Sequence, residues 1–131
     1  MRTTFTVETD ARLTTVDVTD RVADAVPDDL SSGTCTAFVE HTTAGLAVQE
    51  NESRLREDIE SFFADLVPDE GHAHDRIDDN ADSHLRATLL GPEATLPVAD
   101  GDLALGTWQS LLLVECDGPR TRTVSVTTVG D

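Results

Sequence analysis

Polar and apolar residues alternate with a period of two toward both ends of this 131-residue chain, and with a helical period through its middle. The stretch 3–8 (TTFTVE) alternates, and 13–18 repeats the pattern with Leu13, Val16 and Val18 available for burial, so two opening strands are predicted. Thr19 is the expected cap of a short helix carrying Val22, Ala25 and Val26 and ending near Pro27. Gly33 then leads into TCTAFVEH, which is rich in strand formers. The clearest helix follows Asn51, its expected cap. There Leu55, Ile59, Phe62, Phe63 and Leu66 recur at spacings of four, three, one and three before Pro68, a face expected to join the core. A second helix begins near Asn80 or Asp82, carries His84, Leu85, Thr88 and Leu89, and stops at Gly91-Pro92. Beyond it, ATLPVA, GTWQSLLLVEC and TRTVSVTTV read as strands separated by Gly101-Asp102 and DGPR turns. The fold class expected is α+β: one domain over 1–131, β-sandwich-like, with largely antiparallel sheets and two to three helices.

Charge narrows the partners. There are 26 Asp and Glu against 9 cations, all of them arginine, for a net charge of -17. The acid is spread along the whole chain and 38% of residues are hydrophobic, which argues for a folded, halophile-like acidic surface rather than disorder. Such a surface repels polyanions, so neither nucleic acid nor an anionic membrane is an expected partner. No apolar run approaches the roughly 20 residues of a membrane helix, and the N-terminus lacks a signal-peptide pattern, so a cytoplasmic location is expected. Cys35 and Cys116 are isolated within apolar runs and are expected to be buried, reduced thiols.

Three of the four histidines fall between Gly71 and Gly91. His74 lies in the loop and His84 in the following helix, while His41 ends a strand just before Thr42-Thr43-Ala44-Gly45. Gly45 permits a sharp turn or a close approach of backbone to a ligand. Three imidazoles with one open position form the arrangement of catalytic zinc sites, but separations of 33 and 10 residues match no short local metal motif. His72 and His74 share one side of an extended segment. Glu50, Glu52, Asp78, Asp79 and Asp82 crowd the same segments, where the ordinary reading is a solvated face. Glu50 and Asp79 stand out because each adjoins an asparagine, Asn51 or Asn80, next to a histidine-bearing segment. Either carboxylate could orient an imidazole or act as a general base. GDLALGTWQS lacks the Gly-Lys-Ser/Thr ending of a phosphate loop. Trp108, between Thr107 and Gln109, is either core or the floor of a pocket for a flat heterocycle. Arg120 and Arg122, on alternate positions of a strand, either hold phosphate oxygens or balance surrounding acid.

Taken together, HTTAGLAVQENE (41–52), DDNADSHLRATLLGP (78–92) and GDLALGTWQSLLLVECDGPRTRTVSV (101–126) closely resemble the YjbQ family, whose members are described as secondary thiamine-phosphate synthases. The resemblance spans the chain from Phe38 onward and is looser before it. It implies a β-sandwich core assembled as a homotrimer, with pockets near subunit boundaries and a histidine-lined metal site. By matching motif positions, it implies His41, His74 and His84 as ligands of a divalent metal, zinc first and magnesium as the alternative. It implies catalytic roles for Glu50, Asp79 and Arg120, and substrate-binding roles for Asn51, Asn80, Thr107, Trp108, Gln109 and Glu115. His72 departs from the family, which often has an aromatic residue there, and is left as a replaced pocket wall or an added ligand. The implied activity joins a pyrimidine diphosphate to a thiazole phosphate and releases pyrophosphate. In it Arg120 and the metal would neutralise the leaving group, while Trp108 and Gln109 hold the pyrimidine. Imidazole suits zinc, whereas diphosphate chemistry usually employs magnesium on carboxylates, so this activity is read as a secondary one. The alternatives are a metal-dependent hydrolase, with Glu50 or Asp79 taking a proton from bound water, and a non-catalytic module for a small phosphorylated or heterocyclic ligand.

Overall fold

The alternating segments pair into two antiparallel sheets. In the computed structural model, which describes all residues 1–131, the chain runs through β1 (Arg2–Glu8), β2 (Thr14–Asp17), α1 (Thr19–Asp24), β3 (Ser32–Val39) and β4 (Ala44–Gln49). It continues through α2 (Ser53–Leu66), a 3-10 turn (Ala73–Arg76), α3 (Ala81–Leu90), β5 (Glu93–Ala99), β6 (Asp102–Leu103), β7 (Ser110–Glu115) and β8 (Thr121–Gly130). One sheet has the order β1-β8-β3-β5-β6 and the other β2-β7-β4, so the α+β class with antiparallel sheets is as expected. Alternate residues of the strands meet between the sheets: Val7, Cys35, Ala37, Val39, Val124 and Val126 from the first, Leu46, Leu111 and Leu113 from the second. Val18 and Val22, around the start of α1, close one side of this core. Both cysteines are buried and unpaired, as expected, and burial pushes the Cys116 thiol up to about 12.

Strand β4 was not anticipated. Its first half, Ala44-Gly45-Leu46, is continuously buried, so it carries no alternation to read. Gly45 sits within it, and the close approach it permits is to protein rather than ligand. A Cβ there would lie 2.7 Å from the Gly91 carbonyl oxygen and 2.7 Å from Leu90 Cβ. The C-terminal end of α3 therefore lies directly on β4, and the Leu46 amide donates to the Gly91 carbonyl at 3.1 Å. That contact ties the helix bearing His84 to the strand that follows His41.

Two caps and one face differ from expectation. Thr19 is inside α1, where its hydroxyl accepts from the Leu111 amide at 2.8 Å. The cap of α2 is Glu52, whose carboxylate accepts from the amides of Arg54 and Leu55. Asn51 instead bridges Asp17 and Arg56. No residue of α2 is buried, and Phe62 and Leu66 are 58% and 51% exposed. The two sheets already fill each other's inner faces, so α2 meets the sandwich chiefly beside β2 and its apolar stripe is left half covered. Its C-terminal end is held by the buried Arg86, which donates to the carbonyls of Phe63 and Val67 at 2.8 Å and pairs with Asp82 and Asp69.

A candidate anion-binding site

The chain ends of β3, β4 and β7 meet the start of α3 at one end of the sandwich. The loop after β3 supplies His41, Thr42 and Thr43. The first turn of α3 supplies Asn80 and His84, and the turn between β7 and β8 supplies Asp117 and Arg120. With Glu40, Thr121 and Arg122 these residues line a cavity of about 510 Å³ that has no hydrophobic wall. The DGPR turn is seated tightly. A Cβ at Gly118 would collide with the Ala11 carbonyl at 2.2 Å, and the Gly118 amide donates to the Arg12 carbonyl. Asp117 then accepts from Asn80 Nδ2 and from Arg120 Nη2, each at 3.0 Å, which fixes both side chains at the cavity. Arg120 Nε goes to the Asp117 carbonyl, leaving Nη1 without a protein partner.

Behind the wall lies an ion pair sealed from solvent. Arg122 donates to both carboxylate oxygens of Glu115 and to the hydroxyl and carbonyl of Thr43. Glu115 also accepts from the Thr9 hydroxyl and the Asp117 amide, each at 2.8 Å. Burial alone would raise the Glu115 carboxyl, but the bonds from Arg122, Asp117 and Thr9 outweigh it and hold it below the usual range. Glu115 is fully buried, so it cannot touch a ligand in the cavity; it positions Arg122 and the turn.

His41 Nε2 accepts the backbone N–H of Thr123 at 2.8 Å. An amide can only donate, so this nitrogen carries a lone pair and the proton of the neutral ring sits on Nδ1. Burial, and then the Arg122 charge, hold His41 below the ordinary imidazole range, consistent with a neutral ring. His84 and His74 pack edge to face with ring centroids 4.9 Å apart, and His74 Nε2 is buried with no partner. That orphaned nitrogen suits a metal or a ligand hydrogen. His41 does not fit the same role as it stands, because Nε2 is occupied and Nδ1 is protonated. No three His, Cys, Asp or Glu side chains converge at metal-binding separation.

Of the residues singled out from sequence, His41, Asn80, His84, Arg120 and Arg122 come together in the cavity, Arg122 balancing Glu115, and His74 joins through His84. Asp79 is exposed beside Asn80 but outside the lining. Glu50, Asn51, Thr107, Trp108 and Gln109 lie elsewhere. Glu115 pairs with Ala44 and Ser110 with Gln49, so these five sit beyond the far end of the β4–β7 ladder, about 17 Å from the cavity. Trp108 there is 73% exposed and lines no cavity. His72 is a loop staple: its Nε2 donates to the Pro68 carbonyl at 2.7 Å and its amide to Asp75. Thr43 and Asp117 were passed over as loop and turn residues, although their clustering with His41 and Arg120 in those motifs was the available signal.

A second cavity, of about 570 Å³, adjoins the first and shares Glu40, His41 and Thr42 with it. Its remaining wall includes Phe38, Ala44, Ala87, Thr88 and Pro92.

Comparison with known proteins supplies one family. The family described as "UPF0047 protein YjbQ-like" matches residues 3–131. A UPF0047 protein of Archaeoglobus fulgidus is 48% identical over 123 residues, covering 93% of this chain and 96% of that protein. One of Methanothermobacter thermautotrophicus is 43% identical over 126 residues, 95% of this chain and 88% of that protein. Among solved structures, a YbjQ-like protein of unknown function from Sulfolobus solfataricus is 40% identical with a TM-score of 0.96, covering 100% of this chain and 97% of the other. A hypothetical protein from Aeropyrum pernix is 42% identical, also with a TM-score of 0.96, covering 100% and 99%.

Proposed function

Because this chain belongs to the UPF0047 (YjbQ-like) family, whose relatives' names specify no activity, we propose a function from the cavity itself: binding and turnover of a small phosphorylated substrate. The observation that carries the reading is the wholly polar cavity. In a chain of net charge -17 it gathers two arginines, two histidines, three threonines and Asn80 with only two carboxylates, Glu40 and Asp117, each of them paired with an arginine. Arg120 Nη1 and the His41 Nδ1–H are fixed donors without protein partners, and the positive end of the α3 dipole, at Asn80, faces the same space.

The reaction we assign is thiamine-phosphate synthase-like, a secondary activity in which a pyrimidine diphosphate is coupled to a thiazole phosphate. The C–O bond to the diphosphate breaks, its electron pair leaves on pyrophosphate, and the thiazole nitrogen forms the new C–N bond. Charge accumulates on the leaving group, so donors held in place before the reaction lower the barrier. Arg120, kept in position by Asp117, and the His41 Nδ1–H are the groups placed to supply them. A divalent metal remains part of the proposal, zinc for imidazole or magnesium for the diphosphate. His74 and His84 are the residues suited to hold it; His41 would first have to release Thr123, so no step is routed through the metal.

We further propose a homotrimer. Phe62, Leu66, Ile77, Leu85 and Leu89 leave α2, α3 and the loop between them with exposed apolar side chains, and a neighbouring copy would cover such surface. Assembly would also allow the Trp108 end of one chain to meet the Arg120 end of the next.

Incubation with both substrates and either metal tests the assignment by product analysis. Thiamine phosphate and pyrophosphate in equal amounts support it, with Arg120→Ala lowering kcat/KM by about 100-fold. Cleavage without coupling favours the hydrolase. Protection of the fold against heat by the ligands, with no product, favours a binding module.

A further inference from the structure

We infer that the cavity beside Phe38 is a subsite for a flat, uncharged ring, belonging to the same ligand whose phosphate occupies the polar cavity. This rests on the anion-binding reading above. The two spaces adjoin along Glu40, His41 and Thr42, but away from that shared wall their chemistry diverges. One side offers Asn80 and Arg120; the other offers Phe38, Ala44, Ala87 and Pro92. A volume of about 570 Å³ matches a small-molecule site. Ala44 and Ala87 are small, which leaves room beside the junction of β4 and α3 that Gly45 makes possible. Phe38 lies between the buried Ala37 and Val39 on β3, so its ring projects to the opposite side of the strand, 42% exposed, with a face available for stacking. The apolar wall offers a charged ring nothing to pair with, which selects an uncharged one, while Glu40, on the wall shared by both spaces, is paired with Arg2 at 3.3 Å. His41, common to both spaces, then stands where ring and phosphate join. The ligand class is thus a phosphate or diphosphate ester of a flat ring, which stacks on Phe38 and not on the same chain's Trp108, at the far end of the β4–β7 ladder.

Calorimetric titration with inorganic phosphate and phenyl phosphate separates the two readings. Phenyl phosphate should bind at least about tenfold more tightly than inorganic phosphate, because the ring is removed from water. Thr88→Trp, at an exposed position on the rim, and Phe38→Ser should each abolish that advantage while leaving phosphate affinity unchanged, which also reports that the variants are folded. Phosphate binding with no advantage for phenyl phosphate, or an advantage that survives both substitutions, would overturn the ring subsite and leave the anion cavity standing. Failure of both ligands to bind would overturn the anion reading and the subsite with it.

Discussion

The Nε2 atom of His41 accepts the backbone N–H of Thr123 at 2.8 Å, so a side chain from the loop after β3 is anchored to β8 across the mouth of the cavity. The bond specifies a tautomer. Nitrogen-15 spectra near pH 7.5 should show His41 protonated at Nδ1 and bare at Nε2. A ring protonated at Nε2 would mean that the Thr123 bond is not made in solution. His41→Asn, which keeps polarity but not this reach, should lower anion affinity about tenfold by freeing the loop.

Glu115 is paired with Arg122, and both are at most 2% exposed. Glu115→Gln leaves a guanidinium buried without its counter-charge and should cost about 3–5 kcal/mol in denaturant unfolding. The pair also sets a pH dependence. Glu115 and Asp82 both titrate below their ordinary carboxylate values in the folded chain. For Asp82 burial opposes that shift, but the Arg12 bond and the charges of Arg12 and Arg86 prevail. A carboxyl with a lower pKa when folded stabilises the fold above its unfolded pKa, and that stability is lost as pH falls through the folded value. Urea midpoints at constant high salt should therefore hold steady from pH 7 to 5 and decline below about pH 4. In Glu115→Gln the decline should be shallower.

Gly45 brings α3 against β4 so closely that a methyl group has no room. Gly45→Ala should destabilise by about 1–3 kcal/mol and displace α3. Shifts in the resonances of His84 and Asn80, with reduced phosphate affinity, would trace the effect into the cavity. A variant as stable as the parent would show that the helix does not depend on this contact.

The two motif clusters lie at opposite ends of β7, and a shared active site between copies makes a distinctive prediction. On the proposed assembly of copies, Arg120→Ala and Trp108→Ala should each be poorly active alone, yet mixed and reassembled oligomers should recover a measurable fraction of activity. Absence of recovery on confirmed subunit exchange would confine function to the Arg120 end of one chain.

Much of the fold was legible in local pattern. Alternation marked β1, β5 and β8, and Gly91-Pro92 marked the end of α3. β4 escaped because its buried half, Ala44-Gly45-Leu46, is apolar throughout and shows no alternation. The helical period of α2 gave its extent correctly, but periodicity says which face is apolar and not what covers it. The same limit governed the site. His41, Asn80, His84 and Arg120 were separable from their acidic surroundings by residue type and motif, whereas Trp108 and Glu115 share one continuous motif with Arg120. Only the strand register shows that one lies at the far end, one inside and one in the cavity.

The arginines carry a last consequence. Arg86 and Arg122 are enclosed with carboxylates, Arg12 and Arg120 are bound to Asp82 and Asp117, and Arg56 is occupied with Thr15 and Asn51. Five of the nine arginines are thus committed to specific contacts, and with 26 acids against nine cations the field reaching into solvent is that of the acids in excess. A phosphorylated ligand is repelled at long range and attracted only once it is within a few ångström of the cavity. Screening removes the first effect far more than the second, so its association rate should rise with ionic strength, opposite to the behaviour of electrostatically steered sites.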